Sequence, residues 1–317
     1  MTAPQHPARV RWVPVVLFVV VSYALAWLPA LPLWLGDGLA TPLATVWITL
    51  MMFAPTLATL IVVFAFRAPA TGRARFLGVW PLRPVGRFLL FLGIALFAPM
   101  LIVAAGIAVA ALAGWIELDL VEFSGFAAQL AALVPEGTPL PPVGLLVIGQ
   151  LLSLPVGALV NTIFAAGEEI GWRGWLQTAL LPLGVWPAML ITGVVWGLWH
   201  APVILLGYNF GRTDVTGLLL MIGGCVAWGV FFGWLRLRSR SVWPAALAHG
   251  SLNAAASVAV LVVAADSSPD PALAGPLGAA AWIVLAVVVA VLALCGQFRR
   301  DKLELDPLAP PAAPPAA

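Results

Sequence analysis

The sequence predicts an all-α, polytopic membrane protein with about eight transmembrane helices and both termini in the cytoplasm. Of its 317 residues, 62% are hydrophobic and 9% are charged, which is far more apolar than a soluble domain. Its apolar runs of about 20 residues match the length that crosses a ~30 Å hydrocarbon core. Only helices or closed barrels satisfy the backbone in lipid, so these runs are predicted to be helices.

Eight apolar runs define the predicted spans. The first follows Arg9 and Arg11 but is too long for a signal peptide, so we interpret it as an uncleaved helix. Segment 115–142 is the least apolar stretch before the C-terminal tail, and we expect an external loop or an interfacial helix there. The predicted spans are 13–35, 43–66, 88–114, 143–167, 185–206, 215–235, 242–264 and 277–296.

The distribution of basic residues predicts the orientation. Arg and Lys clusters precede span 1, link spans 2 and 3, link spans 6 and 7, and follow span 8, so all lie on one side if both termini are cytoplasmic. The opposite loops are acidic, with Arg212 as their one basic residue. The predicted domains are a cytoplasmic tail (1–12), a transmembrane domain (13–298) and a disordered, Pro/Ala-rich cytoplasmic tail (299–317).

The partners and location follow from the same composition. A net charge of +2, with basic residues in short loops, gives no indication of nucleic-acid binding. Fourteen Arg against one Lys, with abundant Ala, Gly and Pro, suggest a GC-rich genome and hence a bacterial cytoplasmic (inner) membrane. The lipid bilayer is the expected environment, and the sequence makes no prediction of an oligomeric state.

Ionisable side chains inside apolar runs are the strongest functional signal. Two of the three histidines, His200 and His249, lie in such runs, and the adjacent Glu168 and Glu169 accompany a third. A charged group at the bilayer centre costs roughly 2.5–3.5 kcal/mol on insertion scales, so such groups are usually functional. The sequence therefore predicts one buried polar site built by three spans.

The two glutamates are predicted to have different roles. Adjacent helical residues point about 100° apart, and Glu169 and Arg173 stand at i, i+4 on one face, where we expect them to pair. This leaves Glu168 as the carboxylate that is free to transfer protons. The alternative is that both glutamates merely lie at the membrane interface with Arg173. Pro155 and Gly157 are expected to interrupt the helix before this motif.

The two histidines each have a partner one helical turn away. Trp196 places an aromatic ring beside His200, and Pro202 weakens the hydrogen bonding of that turn. His249 and Asn253 present an imidazole and a carboxamide to a common point, as an oxyanion hole requires. The alternatives are a satisfied core histidine at position 200 and hydrogen bonding between packed helices at positions 249 and 253.

Together these elements resemble the CPBP family of intramembrane proteases, which includes type II CAAX prenyl endopeptidases and bacteriocin-processing or immunity proteins. The family pattern is Glu-Glu-x-x-x-Arg, aromatic-x-x-x-His and His-x-x-x-Asn on successive separate spans. Residues 168–173, 196–200 and 249–253 follow it. The resemblance covers about 155–260, and the first three spans match only as generic membrane helices. The aromatic residue is commonly Phe and is Trp196 here.

The resemblance implies hydrolysis of a peptide bond in a membrane-associated peptide or precursor protein, with or without a lipid modification. It implies that Glu168 with His200 activates the attacking water and that the His-x-x-x-Asn pair stabilises the oxyanion. The Glu-Arg pair would hold the motif in place. The implied catalytic residues are Glu168, His200, His249 and Asn253, and the supporting residues are Glu169, Arg173 and Trp196.

The cofactor is left open between two hypotheses. Glu168, His200 and His249 are a donor set that suits a catalytic zinc with an open position for water, and the family has been described both as metalloproteases and as glutamate-dependent enzymes. The sequence lacks the His-Glu-x-x-His helix of soluble zinc proteases and the Glu-x-x-His pairs of di-iron bundles. Metal-free general-base catalysis is the favoured hypothesis, and zinc is the alternative.

Two other function classes compete with the protease. One is a non-catalytic membrane scaffold or immunity protein that retains the fold, in which substitution of Glu168 or His200 leaves the phenotype intact. The other is a proton-coupled transporter that uses Glu168 and the two histidines as a relay. The sequence has no internal repeat, which counts against the transporter.

Overall fold

A computed structural model describes residues 9–135 and 138–303, and this part of the chain contains helices and no strand. The predicted all-α class is confirmed. Residues 1–8, residues 136–137 in the predicted external loop, and residues 304–317 of the tail predicted to be disordered (299–317) lie outside the described residues. The described start of that tail contains a short helix, Arg300–Leu303. The helices are α1 (Trp12–Leu35), α2 (Ala44–Met51), α3 (Ala54–Phe64), α4 (Arg73–Leu77), α5 (Val85–Leu112), α6 (Ser124–Leu133), α7 (Val143–Glu169), α8 (Gln177–Leu180), α9 (Val185–Trp199), α10 (Ala201–Ile204), α11 (Val215–Ser239), α12 (Trp243–Ala255), α13 (Val258–Val262), α14 (Pro271–Ala274), α15 (Ala279–Leu294) and α16 (Arg300–Leu303).

Seven helical stretches in the described residues are long and apolar enough to cross a membrane. The chain is an integral, multi-pass membrane protein. The eighth predicted span, 185–206, consists of the 15-residue apolar helix α9 followed by α10, so the count of eight is not confirmed. The cytoplasmic placement of the termini stays a prediction. The seven stretches are Trp12–Leu35, Ala44–Phe64, Val85–Leu112, Val143–Leu183, Val215–Ser239, Trp243–Val262 and Pro271–Leu294.

Helix α7 runs without interruption through Pro155 and Gly157, so the predicted break there is wrong. A proline inside a helix removes one backbone hydrogen bond, and apolar surroundings favour keeping all the others. The irregularity comes instead after the glutamate pair, where Ile170–Leu176 forms a π-helical segment. Such segments are frequent at functional sites.

The segment between α5 and α7 contains the short helix α6, preceded by a turn that Asp119 organises. Its Oδ1 accepts a hydrogen bond from the backbone N–H of Glu122 (2.9 Å), and its Oδ2 accepts one from that of Ser124 (3.0 Å). The pKa of Asp119 is held well below its usual range, most strongly by a hydrogen bond from the Ser124 side chain and then by these backbone bonds. The backbone N–H of Asp119 donates to the Val262 oxygen (2.9 Å), which ties this segment to α13.

Helix packing brings the motif helices together. Helix α12 packs along α7 and α5, α9 packs along α11, and α1 packs against α2 and α3. The π-helical segment contacts α1 through aromatic rings, because Phe18 stacks on Trp175 at 4.8 Å and meets Trp172 edge-on at 5.5 Å. The three motif-bearing helices α7, α9 and α12 therefore belong to one packed unit.

The connection between α3 and α5 is fixed to the ends of α11 and α12. The buried Arg236 donates from Nη2 to the Phe76 oxygen at 2.9 Å, and the backbone N–H of Val242 donates to the Gly78 oxygen at 3.0 Å. Gly78 has a left-handed φ of +71°, and a Cβ there would lie 2.6 Å from the Cζ of Arg236. The close approach of this guanidinium requires a glycine.

We predict that Gly78→Ala lowers the unfolding temperature of the detergent-purified protein more than Gly72→Ala does. Both glycines are left-handed, where an L-residue costs roughly 1–2 kcal/mol, but a Cβ at Gly72 meets nothing within 4 Å. Only the first substitution displaces Arg236 from its carbonyl partner. Thermal unfolding of the two variants measures the difference, and equal losses would contradict a role for the Arg236 contact.

Candidate active site

A cavity of about 400 Å³ brings together the four residues predicted to be catalytic. Glu168 comes from α7, His200 from the junction of α9 and α10, and His249 and Asn253 from α12. Further lining comes from α2, the turn after α10, and α11. The sequence prediction that three separate spans build one polar site matches this arrangement.

Glu169 is the central buried carboxylate of this region. Its Oε1 accepts a hydrogen bond from Nη1 of Arg173 at 2.7 Å, and both side chains are fully buried. This is the expected i, i+4 ion pair. The same oxygen lies 3.0 Å from Nδ1 of His249, and because an ionised carboxylate only accepts, His249 donates through Nδ1. The contact with His249 was not predicted from the sequence.

Arg173 is enclosed by aromatic rings as well as by its carboxylate. Its guanidinium carbon lies 4.3 Å from the ring centroid of Trp196 and 5.3 Å from that of Phe232. Within the described part of the chain, its Nε and Nη2 are buried without a hydrogen-bond partner. Cation–π attraction reaches about 2 kcal/mol when such a pair is desolvated, so the rings provide the stabilisation that these nitrogens lack from hydrogen bonds.

Glu168 has a different environment from its neighbour, as predicted. Its Oε2 accepts a hydrogen bond from Nε1 of Trp196 at 2.7 Å, and the side chain lines the cavity. Trp196 was predicted only to flank His200, and their ring centroids are 5.8 Å apart. The indole therefore orients the carboxylate as well as contacting the imidazole. Oε1 of Glu168 remains for a second partner.

His200 is held in one orientation at the end of α9. Its Nδ1 donates to the Trp196 carbonyl oxygen at 2.9 Å, and the Trp199 ring meets the imidazole edge-on at 4.7 Å. Because a carbonyl only accepts, the neutral ring carries its proton on Nδ1 and its lone pair on Nε2. His200 is half-buried and lines the cavity, so this nitrogen is the one suited to take a proton from water.

His249 is clamped between two rings and the Glu169 carboxylate. Trp196 meets it edge-on at 5.2 Å, and Phe232 stacks on it at 5.6 Å. Engagement of Nδ1 by Glu169 leaves Nε2 for a partner in the cavity. Asn253, one turn further along α12, lines the same cavity. The two side chains therefore share a space large enough for a ligand.

Glycines allow the glutamate motif to dock against the junction of α2 and α3. A Cβ at Gly167 would lie 2.7 Å from the Met52 oxygen, and one at Gly171 would overlap Pro55. The Thr56 hydroxyl donates to the Gly167 oxygen at 2.7 Å. Because these two glycines bracket Glu168 and Glu169, the depth of both carboxylates is set by this contact.

Five polar cavity residues were missed by the sequence analysis: Thr45, Thr49, Asn161, Tyr208 and Asn209. Asn161 lies two helical turns before Glu168, a spacing that would have placed it on the same face. Tyr208 and Asn209 lie in the turn after α10, where Asn209 has a left-handed φ of +66°. Strained backbone of this kind clusters at functional sites, and the local signal for it in the sequence is Gly207, two residues earlier.

The three side chains suggested as zinc ligands have other partners in the structure. Among the described residues, no three His, Cys, Asp or Glu side chains lie close enough to hold a metal ion. In the suggested set, His249 directs Nδ1 to Glu169, His200 directs Nδ1 to a carbonyl, and Glu168 binds an indole. These residues do not fit a metal in this arrangement, and no step below is assigned to one.

Residues 150–255 match the family model described as Rce1-like, type II CAAX prenyl endopeptidase. The resemblance to this kind of protease is therefore supported for this segment of the chain. The match spans about a third of the chain and includes every predicted site residue. No curated protein matches the chain. The family described by this match is one of endopeptidases, so residues 150–255 are similar to a peptide hydrolase, and the apolar helices place the chain in the lipid bilayer.

We predict that Glu169→Gln destabilises the protein far more than Glu168→Gln does. The first change leaves Arg173 buried without its counter-ion, and breaking a buried pair costs about 3–5 kcal/mol. The second retains an acceptor for the indole of Trp196 and removes no ion pair. Thermal unfolding of both detergent-purified variants provides the comparison. A similar unfolding temperature for the two would show that Glu169 does not hold the site together.

Proposed function

We propose that this protein is an intramembrane endopeptidase that hydrolyses a peptide bond with a water activated by Glu168 and His200. The observation that carries the proposal is the shared cavity, in which a buried carboxylate, two imidazoles and a carboxamide meet. These four side chains lie inside the segment that matches a protease family. Proximity of base, water and oxyanion donors is what amide hydrolysis requires.

Activation of water is assigned to Glu168 and His200. The Trp196 indole occupies Oε2 of Glu168, which leaves Oε1 to accept a proton from water as the water oxygen attacks the scissile carbonyl carbon. Nε2 of His200 carries the ring's lone pair and orients the same water. Glu168 then returns the proton to the leaving amine, so that one carboxyl group acts first as base and then as acid.

Stabilisation of the tetrahedral oxyanion is assigned to His249 and Asn253. The Asn253 carboxamide supplies an N–H donor, and His249 supplies one from Nε2 when both ring nitrogens carry protons. Glu169 accepts a hydrogen bond from Nδ1 of His249 and is not among the described residues that line the cavity, so it fixes the ring and balances its charge. Removal of one such donor typically costs about 10²–10³-fold in kcat.

The substrate is proposed to be a membrane-associated peptide or precursor protein, with or without a lipid modification, in a bacterial cytoplasmic membrane. Apolar side chains of α2 and α12 line the cavity beside the polar groups, among them Ile48, Met52 and Leu252. Such lining suits an apolar or lipid-modified segment, since binding sites combine apolar walls with a few polar groups that fix orientation. Catalysis without a metal is proposed, with zinc as the alternative.

We expect detergent-purified protein to cleave members of a quenched fluorogenic peptide library that contains lipidated and unlipidated peptides. Glu168→Gln should abolish cleavage, because the variant lacks the proton acceptor but keeps the shape of the side chain. Glu122→Gln, at an exposed position outside the cavity, is the matched control and should retain wild-type rates. Cleavage should survive a strong chelator.

Each contrary result has a distinct meaning. Equal cleavage by wild type and Glu168→Gln would remove the role of Glu168 and indicate a contaminating protease. Loss of cleavage in chelator, restored by zinc, would replace the metal-free mechanism with the zinc alternative. No cleavage of any peptide would favour the scaffold or immunity reading of the same fold.

We predict that Tyr208→Phe lowers kcat/KM on the same peptides about two- to tenfold, the value of one hydrogen bond of about 0.5–1.5 kcal/mol. The side chain lines the cavity, and burial together with the Glu168 carboxylate raises the pKa of its hydroxyl. The hydroxyl is therefore a neutral donor at pH 7. Steady-state kinetics test this, and an unchanged kcat/KM would show that the hydroxyl contacts neither substrate nor transition state.

A further inference from the structure

Three aromatic side chains on one face of α1 donate hydrogen bonds to backbone carbonyl groups on both sides of His200. The acceptors lie in the last two turns of α9 and in α10. The bonds are Tyr23 OH to the Val195 oxygen (2.7 Å), Trp27 Nε1 to the Trp199 oxygen (3.0 Å) and Trp34 Nε1 to the Pro202 oxygen (2.9 Å).

Two of these carbonyl groups lack the helical partner they would normally have. The backbone N–H of Val203 donates to His200 at 3.1 Å rather than to Trp199, and that of Leu206 donates to Val203 at 3.2 Å rather than to Pro202. For these two carbonyls the regular i, i−4 pattern breaks into i, i−3 bonds, next to Pro202, which has no N–H to donate. The break exposes the Trp199 and Pro202 carbonyl oxygens, and α1 supplies their donors.

The three donor side chains are spaced along one face of α1. Tyr23 and Trp27 stand at i, i+4, with their rings stacked at 5.2 Å, and Trp34 follows two turns later on the same face. Trp27 and Trp34 remain 40% and 48% exposed, so they are not simply filling the core. A backbone carbonyl without a partner at membrane depth is strongly unfavourable, which gives these bonds their importance.

We propose that Tyr23, Trp27 and Trp34 are positioning residues for His200. They hold the break between α9 and α10 in the geometry that presents the imidazole to the cavity. This proposal rests on the proposed function, because it assigns α1 a part in the same reaction. Helix α1 lies outside the family match at 150–255, and nothing in its sequence pattern assigns it such a part.

The proposal distinguishes the chemical step from substrate binding. The described residues that line the cavity come from helices and turns other than α1. Loss of a donor on α1 therefore leaves the substrate contacts in place but shifts His200 relative to the attacking water. A misplacement of about 1 Å at a reacting group costs on the order of 10²-fold in rate. Loss of a donor on α1 should therefore lower kcat and leave KM nearly unchanged.

The kinetic test uses the full-length, detergent-purified protein and the best peptide from the library. Trp27→Phe and Tyr23→Phe keep an aromatic ring and remove the donor, and each should lower kcat about tenfold or more while KM changes by less than about twofold. Trp12→Phe is the matched control, since this exposed tryptophan lies at the far end of α1 and should leave kcat unchanged. Size-exclusion and thermal unfolding establish that each variant is folded.

A second measurement does not depend on activity. The chain has three histidines, at positions 6, 200 and 249, so ¹⁵N-histidine labelling gives few imidazole signals, which His→Gln variants assign. In the wild type, His200 should show the tautomer protonated on Nδ1, as its bond to the Trp196 oxygen requires. In Trp27→Phe its signals should shift or broaden, while those of His249 stay in place.

The two readouts separate the proposals. If the wild type cleaves no peptide but Trp27→Phe shifts the signals of His200 alone, the positioning role is supported and the proposed function is overturned. Wild-type kcat and unchanged His200 signals in both variants would overturn the positioning role. An equal response of His249, or of the Trp12→Phe control, would also overturn it, because the effect would then be general loosening of the fold.

Discussion

The rest of the site depends on the two hydrogen bonds that the Glu169 carboxylate accepts. The donors are Arg173, in the π-helical segment that follows α7, and His249 on α12, and all three side chains are buried. In a low-dielectric interior an unpaired charge is far more costly than a lost packing contact, so this bridge sets the position of α7 relative to α12. Through Arg173 it also reaches Trp196 of α9, which in turn orients Glu168.

The site lies where two helices depart from regular α-helical geometry. The π-helical segment Ile170–Leu176 begins directly after the glutamate pair, and the break at Pro202 follows His200 by two residues. Irregular backbone at membrane depth is tolerated only when protein groups or a cavity satisfy it. The same departures that turn side chains towards a shared space therefore require donors from neighbouring helices, and α1 and α3 provide them.

Sequence reasoning succeeded where the cause is local. The apolar composition predicted the membrane helices, and the i, i+4 spacing predicted the Glu169–Arg173 pair, because both follow from helical geometry alone. It failed where packing decides: the contact of His249 with Glu169 joins residues far apart in the chain, and no periodicity encodes it. Pro155 misled for a related reason, since apolar surroundings favour a helix that continues through a proline. Tyr208 reached the cavity through a turn conformation that composition does not reveal.

The division between the matched and unmatched parts of the chain has a physical basis. Side chains that act on substrate must have particular chemistry, and so residues 150–255 carry a recognisable motif set. The first helices act on backbone instead: Thr56 donates to the Gly167 oxygen and Trp27 to the Trp199 oxygen. Any donor of suitable reach can satisfy a carbonyl, so this support leaves no fixed motif. Helices that look generic in sequence can therefore be as necessary to the geometry of the site as the helices that bear its motifs.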